Sequence, residues 1–289
     1  MAVVGLVVHE DRPEAVAQAD ALAAGLADDG HEVVRSDGSG FDRGAFASEL
    51  DLVVSLGGDG SILRAVDLLD GRPVPVLGVN HGELGYLTTV EPAEAQVAVG
   101  RALAGDRDLE ERMMLHIEVR RADGSTIAVD HALNEVVVER TSSSQTVRVG
   151  VTLDGEFLTS YAADGLIAAT PTGSTAYAFS ARGPLVDPVH RAIQLTPVSP
   201  HMLFDRTLVL DPSTEVRLEV LGNRAAACSA DGREVAVLEG GNVVVCTAAD
   251  RVAHLVTFGP RDFKHLLATK FGLEAVSYTH LTLPTKRIV

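Results

Sequence analysis

Apolar positions in the first third of the chain fall in short continuous runs, most of them followed by a segment with helical spacing. The apolar runs predict buried strands at residues 3–8, 33–34, 51–56 and 74–79. Helical spacing predicts helices at residues 12–29, 61–70 and 92–104. Because strands and helices alternate along the chain, this region predicts a parallel sheet with crossover helices.

From about residue 113 the pattern changes to an alternation of apolar and polar residues with period two. That period is typical of strands with one buried face, and it recurs at residues 115–120, 146–153 and 215–220. Asp-Gly pairs at 123–124, 154–155 and 231–232 indicate tight turns between strands. The second half of the chain therefore predicts an antiparallel β domain.

These patterns divide the chain into four predicted segments. We expect an α/β domain at residues 1–112, a β domain at 113–262 and a C-terminal helix at 263–275 that returns to the N-terminal domain. The sequence VSYTHLTLPT at 276–285 resembles the translated read-through of a common sequencing-library adapter. Residues 276–289 are therefore expected to be a non-native tail.

Composition limits the classes of function. The 289 residues are 46% apolar and 22% charged, which is ordinary for a soluble globular protein. The net charge of −16 argues against nucleic-acid binding, which needs clustered Lys and Arg side chains. A chain this acidic must bind anionic phosphates locally, through backbone N–H groups, a helix N-terminus or a metal ion.

The cysteines and the N-terminal sequence favour a cytoplasmic protein. Cys228 and Cys246 do not form a C-x-x-C pair, which favours two reduced thiols in the core. The first residues contain no basic segment followed by a long apolar run, so we expect neither a signal peptide nor a membrane-spanning helix.

The strongest local motif is Leu-Gly-Gly-Asp-Gly-Ser at 56–61, between a predicted strand and a predicted helix. Gly58 and Gly60 let the backbone approach a ligand, and the helix N-terminus behind them favours an anion. Asp59 would repel phosphate there unless it takes a proton from a hydroxyl or helps to hold a divalent cation. The alternative is an Asp that only caps the helix.

Other nucleotide-binding signatures are absent from the sequence. There is no G-x-x-x-x-G-K-[ST] motif, no G-x-G-x-x-G after the first strand and no protein-kinase signature. These absences argue against P-loop NTPases, ordinary Rossmann dehydrogenases and protein kinases.

A second motif joins Asp164-Gly165 to the run AATPTGSTAY at 168–177 and to Ser180. Its closely spaced hydroxyl and amide groups can bind ribose or phosphate oxygens, and Tyr177 can stack on a base or bond to it. A Ser/Thr-rich β-turn is the alternative.

A third motif, Asn134-Glu135, interrupts an apolar strand, so one of its two polar side chains must face the core or a cleft. A buried carboxylate beside an amide suits recognition of adenine or ribose. The alternative is a local turn or a pair at the end of a strand.

Together the motifs resemble the motif series of the NAD kinase family, in the same order and at similar spacing over about residues 1–275. The series consists of GGDG with Arg64, Asn-His-Gly at 80–82, Leu-Gly-Tyr at 84–86, Asn134-Glu135 and the run at 170–177, and the segment 196–206 is also similar to the family. GGDG alone also occurs in lipid kinases of the diacylglycerol kinase type. Its combination with TPTGSTAY is highly specific.

The resemblance implies a fold and a reaction. The fold is a Rossmann-like parallel α/β nucleotide-binding domain followed by a C-terminal β-sandwich domain that binds NAD, with the substrate in the cleft between them. The reaction transfers the terminal phosphate of ATP, or of polyphosphate, to the adenosine 2′-hydroxyl of NAD, and it uses a divalent cation, Mg²⁺. Homo-oligomers, dimers or tetramers, are implied as well, with a neighbouring subunit completing the site.

The resemblance also assigns roles to single positions. Asp59 corresponds to the catalytic base and Arg64 to a contact with phosphate. Gly58 and Gly60 flank the base. The remaining positions correspond to contacts with the dinucleotide: Asn134, Glu135, Asp164, Thr172, Gly173, Thr175, Ala176, Tyr177 and Ser180.

One position departs from the family pattern. Where the family commonly has Ser-Ala-Gly-Gly-Pro, this chain has Ser-Ala-Arg-Gly-Pro at 180–184. If the third position needs a positive φ angle or a close backbone approach, Arg182 is costly. Alternatively, Arg182 brings a positive charge to the cleft.

Three other functions compete with NAD kinase. A lipid kinase shares GGDG but has no need of the motif at 170–177. A dinucleotide sensor without catalysis would keep the pocket, but it would not need Asp59. An interaction protein would leave the polar motifs within apolar strands unexplained.

Overall fold

The structure, a computed structural model, describes residues 1–36, 46, 49–143 and 145–273. The predicted tail at 276–289 lies outside these residues. Residues Met1–Gly259 form one compact unit, and Pro260–Val289 belong to a second.

The N-terminal part is a parallel sheet with helices between its strands. The strands are β1 (Val3–Val8), β2 (Glu32–Arg35), β3 (Leu52–Gly57) and β4 (Val76–Asn80). The helices are α1 (Pro13–Asp28), α2 (Asp59–Leu69) and α3 (Ala95–Leu103), the last preceded by the 3-10 turn Pro92–Glu94. The strand order β2-β1-β3-β4, parallel throughout, confirms the predicted Rossmann-like arrangement.

The remaining strands are antiparallel to their neighbours, apart from one contact described below. They are β5 (Asp108–Arg120), β6 (Thr126–Ala132), β7 (Glu135–Arg140), β8 (Val147–Leu153), β9 (Glu156–Ala163), β10 (Gly165–Ala169), β11 (Ile193–Val198), β12 (Leu208–Leu210), β13 (Val216–Val220), β14 (Ala226–Ala230), β15 (Arg233–Leu238) and β16 (Val243–Thr257). One sheet has the order β12-β11-β10-β7-β14-β15. The other antiparallel strands continue the parallel sheet in the order β4-β16-β13-β8-β9, with β5 paired to β16 and β6 paired to β5.

The long strand β16 joins the two parts of the fold. It runs antiparallel to β5 over most of its length and parallel to β4 at Leu255, opposite Val76. The parallel and antiparallel strands therefore belong to one continuous ten-stranded sheet, a connection that the pattern of apolar positions does not reveal.

The second sheet packs on the antiparallel part of the first and forms the predicted sandwich. Val136 and Val138 of β7 lie in the core between the sheets, whereas Val137 lies in a separate apolar cluster on the outer face. Because side chains alternate along a strand, Glu135 and Glu139 share that outer face with Val137. The short helix α4 (Tyr177–Ser180) contributes Ala178 to the outer cluster.

The C-terminal helix α5 spans Phe263–Phe271. The Asp262 carboxylate caps it by accepting the His265 N–H at 2.9 Å, and Gly272 ends it with φ of 61°. The helix expected from the sequence is present, and its return to the N-terminal domain stays a prediction. Among the helices that the structure describes, none combines the length and apolar character needed to cross a bilayer.

Candidate active site

The Asp59 carboxylate is clamped by a loop that follows β4. Its Oδ2 accepts the Tyr86 N–H at 2.7 Å, and its Oδ1 accepts the Leu87 N–H at 2.9 Å. Helix α2 begins at Asp59 rather than at the predicted Ser61, and its N-cap is Gly58. The capping alternative is therefore wrong, because both carboxylate oxygens bind the 86–87 loop.

Gly85 makes this clamp possible. A Cβ atom at Gly85 would lie 2.3 Å from Oδ1 of Asp59 and 2.6 Å from the Thr88 hydroxyl. No side chain fits there unless the carboxylate moves, so the Leu-Gly-Tyr motif at 84–86 and the GGDG motif form one structural unit.

The preceding loop ties this unit to the sheet. The His81 N–H donates to the carbonyl of Gly57 at 2.7 Å, and the Arg12 guanidinium donates to the carbonyl of His81. Burial and the neighbouring Arg12 charge lower the pKa of His81. The ends of β3 and β4 are thereby held side by side, where ligands bind in open parallel sheets.

A cleft of about 550 Å³ opens in front of Asp59. Its walls come from the β1–α1 loop and from the start of α2, and they include Gly58, Gly60 and Arg64. Among the described residues, Nε and Nη2 of Arg64 are buried without a hydrogen-bond partner. A guanidinium in that state next to a helix N-terminus suits an anionic ligand.

The 170–177 loop is built on β7 and β10. The Thr170 hydroxyl donates to the carbonyl of Leu133 at 2.6 Å and accepts the Gly173 N–H at 3.1 Å. A Cβ atom at Gly173 would lie 2.2 Å from the carbonyl oxygen of Asn134, so only glycine permits this approach. The loop turns through the 3-10 helix Thr172–Thr175 and is a structured platform rather than a simple β-turn.

Asn134 immediately precedes β7 and Glu135 is its first residue, and both are buried. The Glu135 carboxylate accepts the Tyr177 N–H, while its Oε2 has no hydrogen-bond partner within the described residues. Burial and the nearby Asp231 carboxylate raise the pKa of Glu135 to about 8. A carboxyl group that keeps its proton near neutral pH can donate a hydrogen bond to a ligand.

Tyr177, Ala176 and Ser180 lie on the segment that folds back along β10. Burial raises the pKa of the Tyr177 phenol, and the carboxylates of Glu139 and Asp164 raise it further. Asp164 itself forms an ion pair with Arg140, whose Nε lies 2.7 Å from its Oδ1. Asp164 immediately precedes the five-residue strand β10, and Thr172 lies just beyond its other end.

Arg182 follows α4 with φ of 68°, in the left-handed region. Its N–H donates to the carbonyl of Phe179 at 2.9 Å, which is the usual way to end a helix with a glycine. The first expectation for this position is confirmed, since arginine stands where the backbone favours glycine. A charge delivered to the cleft by Arg182 stays a prediction.

The structure thus groups the predicted residues in two places. Asp59, Gly58, Gly60 and Arg64 line the cleft, and the other predicted residues lie on or beside the β7–β10 platform. The two places share an apolar cluster that contains Leu87, next to the Asp59 clamp, and Leu133, next to Asn134.

Two further residues that touch the site escape prediction from the sequence. The Asp231 carboxylate accepts the backbone N–H groups of residues 133–135. Buried Arg112 donates to the Thr172 hydroxyl at 3.2 Å. The Asp-Gly turn at 231 indicated only a hairpin, and Arg112 carried no local signal.

Comparison with known proteins agrees with this geometry. Residues 4–107 match the model of the ATP-NAD kinase N-terminal domain, and residues 133–258 match that of the ATP-NAD kinase C-terminal domain. An NAD kinase of Heliobacterium modesticaldum is 38% identical over 93% of this chain and 98% of its own length. An NAD kinase of Leifsonia xyli is 40% identical over 80% of this chain and 76% of its own length.

Solved structures show the same fold. Yeast NADH kinase complexed with NADH superposes with a TM-score of 0.87 at 24% identity, over 98% of this chain and 90% of the yeast chain. An NAD kinase from Archaeoglobus fulgidus in complex with ATP superposes with a TM-score of 0.70 at 24% identity, over 93% and 96% of the two chains. The family models cover most of the chain, and so this protein belongs to the ATP-NAD kinase family.

Proposed function

We propose that this NAD kinase transfers the terminal phosphate of ATP to the adenosine 2′-hydroxyl of NAD with Asp59 as general base. The observation that carries the proposal is the clamp on Asp59, which holds a half-buried carboxylate at the mouth of a cleft. The carboxylate takes the proton of the 2′-hydroxyl as its oxygen bonds to the terminal phosphorus. The bond between that phosphorus and the oxygen of ADP breaks, and NADP and ADP are the products.

The donor phosphates are proposed to lie at the start of α2. The positive end of the helix and the backbone N–H groups of its first turn favour anions. The unpartnered Nε and Nη2 groups of Arg64 add charge-assisted contacts. Polyphosphate would use the same contacts, since it presents the same oxygens.

The dinucleotide is proposed to bind on the platform of Asn134, Glu135 and the 170–177 loop. The NAD-side contacts then come from buried polar groups whose backbone is tied down by Thr170 and Gly173. Buried, oriented polar groups discriminate strongly, because a ligand that fails to pair with them leaves them unsatisfied.

A divalent cation fits this site as a companion of the donor phosphates. Within the described ranges, no group of three or more His, Cys, Asp or Glu side chains is arranged to hold a metal ion. Mg²⁺ is commonly held through one or two carboxylates plus substrate phosphates, and Glu10 and Asp11 line the same cleft as Asp59. When bound, Mg²⁺ offsets the phosphate charge.

A homo-oligomer, dimer or tetramer, in the cytoplasm is proposed as well. Tyr177, Phe179 and Val209 are 37%, 38% and 55% exposed around the second sheet. Exposed apolar groups beside a binding platform favour its completion by a neighbouring subunit.

The test is an assay of the purified chain with NAD, ATP and Mg²⁺, with NADP measured by a dehydrogenase specific for it. We expect NADP to form with ATP and to stop when EDTA removes the cation. NAD binding without turnover would favour a sensor, and phosphorylation of diacylglycerol would favour a lipid kinase; either result would contradict the proposal.

A further inference from the structure

The turn between β14 and β15 lies behind the dinucleotide platform, and no residue of it belongs to the proposed contacts. It consists of Asp231 and Gly232, with φ of 46° and 78°, followed by Arg233 at the start of β15. Both charged side chains point away from their own hairpin to other elements.

The Asp231 carboxylate holds the segment that carries the NAD contacts. Its Oδ2 accepts the Leu133 N–H at 2.7 Å, and its Oδ1 accepts the N–H groups of Asn134 at 2.8 Å and Glu135 at 3.1 Å. Three consecutive backbone donors thus converge on one carboxylate. A charged acceptor with several donors fixes a backbone more firmly than a neutral one.

One further hydrogen bond between the turn and the segment 133–135 runs in the opposite direction. The Asp231 N–H donates to the carbonyl of Glu135 at 3.0 Å. Hydrogen bonds in both directions therefore hold the turn and the segment 133–135 in a fixed register.

Arg233 anchors the same turn to two other elements. Its Nη2 lies 2.8 Å from Oδ1 of Asp67 on α2, and its Nη1 lies 3.0 Å from Oδ2 of Asp130 on β6. All three side chains are largely buried, since their exposed fractions are 17%, 10% and 8%. Because all three charges are largely buried, removing the cation would be costly, so the turn is firmly fixed.

Helix α2 connects Asp67, which binds Arg233 near the C-terminal end of the helix, to the reaction centre at its N-terminal end. Asp67 lies one helical turn after Arg64 and two turns after Asp59 on the same helix. The turn at 231–233 thus bonds to the dinucleotide segment through Asp231 and to the donor-side helix through Arg233.

We propose that Asp231 is a positioning residue that fixes the Asn134–Glu135 backbone for NAD, with Arg233 registering that segment against helix α2. Neither residue touches the reacting atoms. The inference rests on the proposed binding of NAD by Asn134 and Glu135, and it predicts an effect on NAD without an equal effect on ATP.

The main test is Asp231→Asn in the full-length protein. Asparagine tolerates the positive φ of this turn, but its Nδ2 cannot accept an N–H from the 133–135 segment. We expect the KM for NAD and the dissociation constant for NAD, measured by calorimetry, to rise about tenfold, as loss of bonds to a charged acceptor implies. The KM for ATP should stay within about twofold.

A matched control exists in another turn of the same kind. Asp154 has φ of 50°, precedes Gly155 and accepts the Glu215 N–H at 2.8 Å, but it lies in the β8–β9 hairpin. Asp154→Asn makes the same chemical change in the same backbone conformation. We expect this variant to keep the wild-type KM for NAD.

Arg233 supplies a second, independent measurement. Arg233→Gln should raise the KM for NAD several-fold, and Arg233→Lys should restore part of the loss, because lysine keeps the charge but cannot bridge both carboxylates. Melting temperatures identify variants that fail to fold. If Asp231→Asn does not fold, the comparison of Arg233→Lys with Arg233→Gln decides.

The outcomes separate this inference from the proposed function. A folded Asp231→Asn protein with an unchanged KM for NAD overturns the positioning role, provided that Glu135→Ala does raise that KM. If neither Glu135→Ala nor Asn134→Ala changes NAD binding, the assignment of NAD to this segment is at fault instead.

Discussion

Asp59 and Glu135 are both carboxylic acids in the proposed site, yet their surroundings are opposite. Asp59 is partly exposed in an open cleft, and each of its oxygens accepts a backbone N–H. Glu135 is 7% exposed, and one of its oxygens has no partner among the described residues. Its neighbour Asp231 adds repulsion to the burial that raises its pKa to about 8.

In the proposed site, this difference separates proton transfer from binding. A carboxylate that solvent reaches and donors orient can accept a proton from a substrate hydroxyl. A buried carboxyl group that stays protonated near neutral pH is suited to donate a hydrogen bond. The following predictions test this contrast.

The largest expected effect is that of Asp59→Asn. The amide keeps the shape of the side chain but cannot take the proton, so turnover should fall by at least about 100-fold. NADP formation under saturating NAD and ATP measures the loss. Asp51→Asn is the control, because the Asp51 carboxylate also accepts a backbone N–H, that of Val3 at 2.8 Å, outside the cleft. A variant at Asp59 with near wild-type turnover would refute the general-base role.

Gly85→Ala should act through Asp59 without touching its chemistry. The added methyl group must displace a carboxylate oxygen 2.3 Å away, and small misplacements of a catalytic group cost about 10-fold to 100-fold in rate. We expect kcat to fall while the KM for NAD changes little. Gly100→Ala on α3 makes the same change where no heavy atom lies within 4 Å, and it should leave kcat unchanged. Equal kcat values in the two variants would show that the clamp does not matter.

Glu135→Gln should change the pH dependence of stability. Because the folded-state pKa of about 8 exceeds the usual 4.5, the folded protein binds more protons than the unfolded chain between these values. The free energy of unfolding therefore falls as the pH rises through this range. Because Gln does not titrate, the variant lacks this decrease in stability. The melting temperature of the variant relative to wild type should increase from about pH 5 to about pH 8.5. Glu139→Gln, on the same face of β7 but less buried, is the control; a pH-independent difference for Glu135→Gln would contradict the raised pKa.

Arg182→Gly should have the smallest effect, a gain in stability beside the binding platform. The φ of 68° costs a residue with a side chain about 1 kcal/mol, and glycine avoids this cost. Glycine also raises the conformational entropy of the unfolded chain, which offsets part of the gain in stability. We expect a gain of up to about 1 kcal/mol in chemical denaturation. Arg191→Gly, at an exposed position without positive φ, should not be stabilising. An unchanged KM for NAD in Arg182→Gly would also exclude a charge role for this arginine.

Local pattern determined much of this molecule. The long apolar runs of the first third became β1, β3 and β4, because a buried parallel strand needs apolar residues on both faces. The period-two segments became strands of the sandwich, and the Asp-Gly pairs became turns with positive φ, as at Asp154. The motifs predicted where the candidate site groups lie, because short-range backbone geometry restricts which positions glycine and hydroxyl residues occupy.

Only the tertiary structure decided which of those groups contact one another and which are buried together. The clamp joins Asp59 to amides 27 and 28 residues away, and the turn at Asp231 meets the Asn134 segment 97 residues away. The raised pKa of Glu135 likewise depends on burial and on that distant Asp231 carboxylate. Such contacts leave no local periodicity, because they arise when β3 pairs with β4 and β7 pairs with β14, which brings together the ends of strands that are distant in sequence.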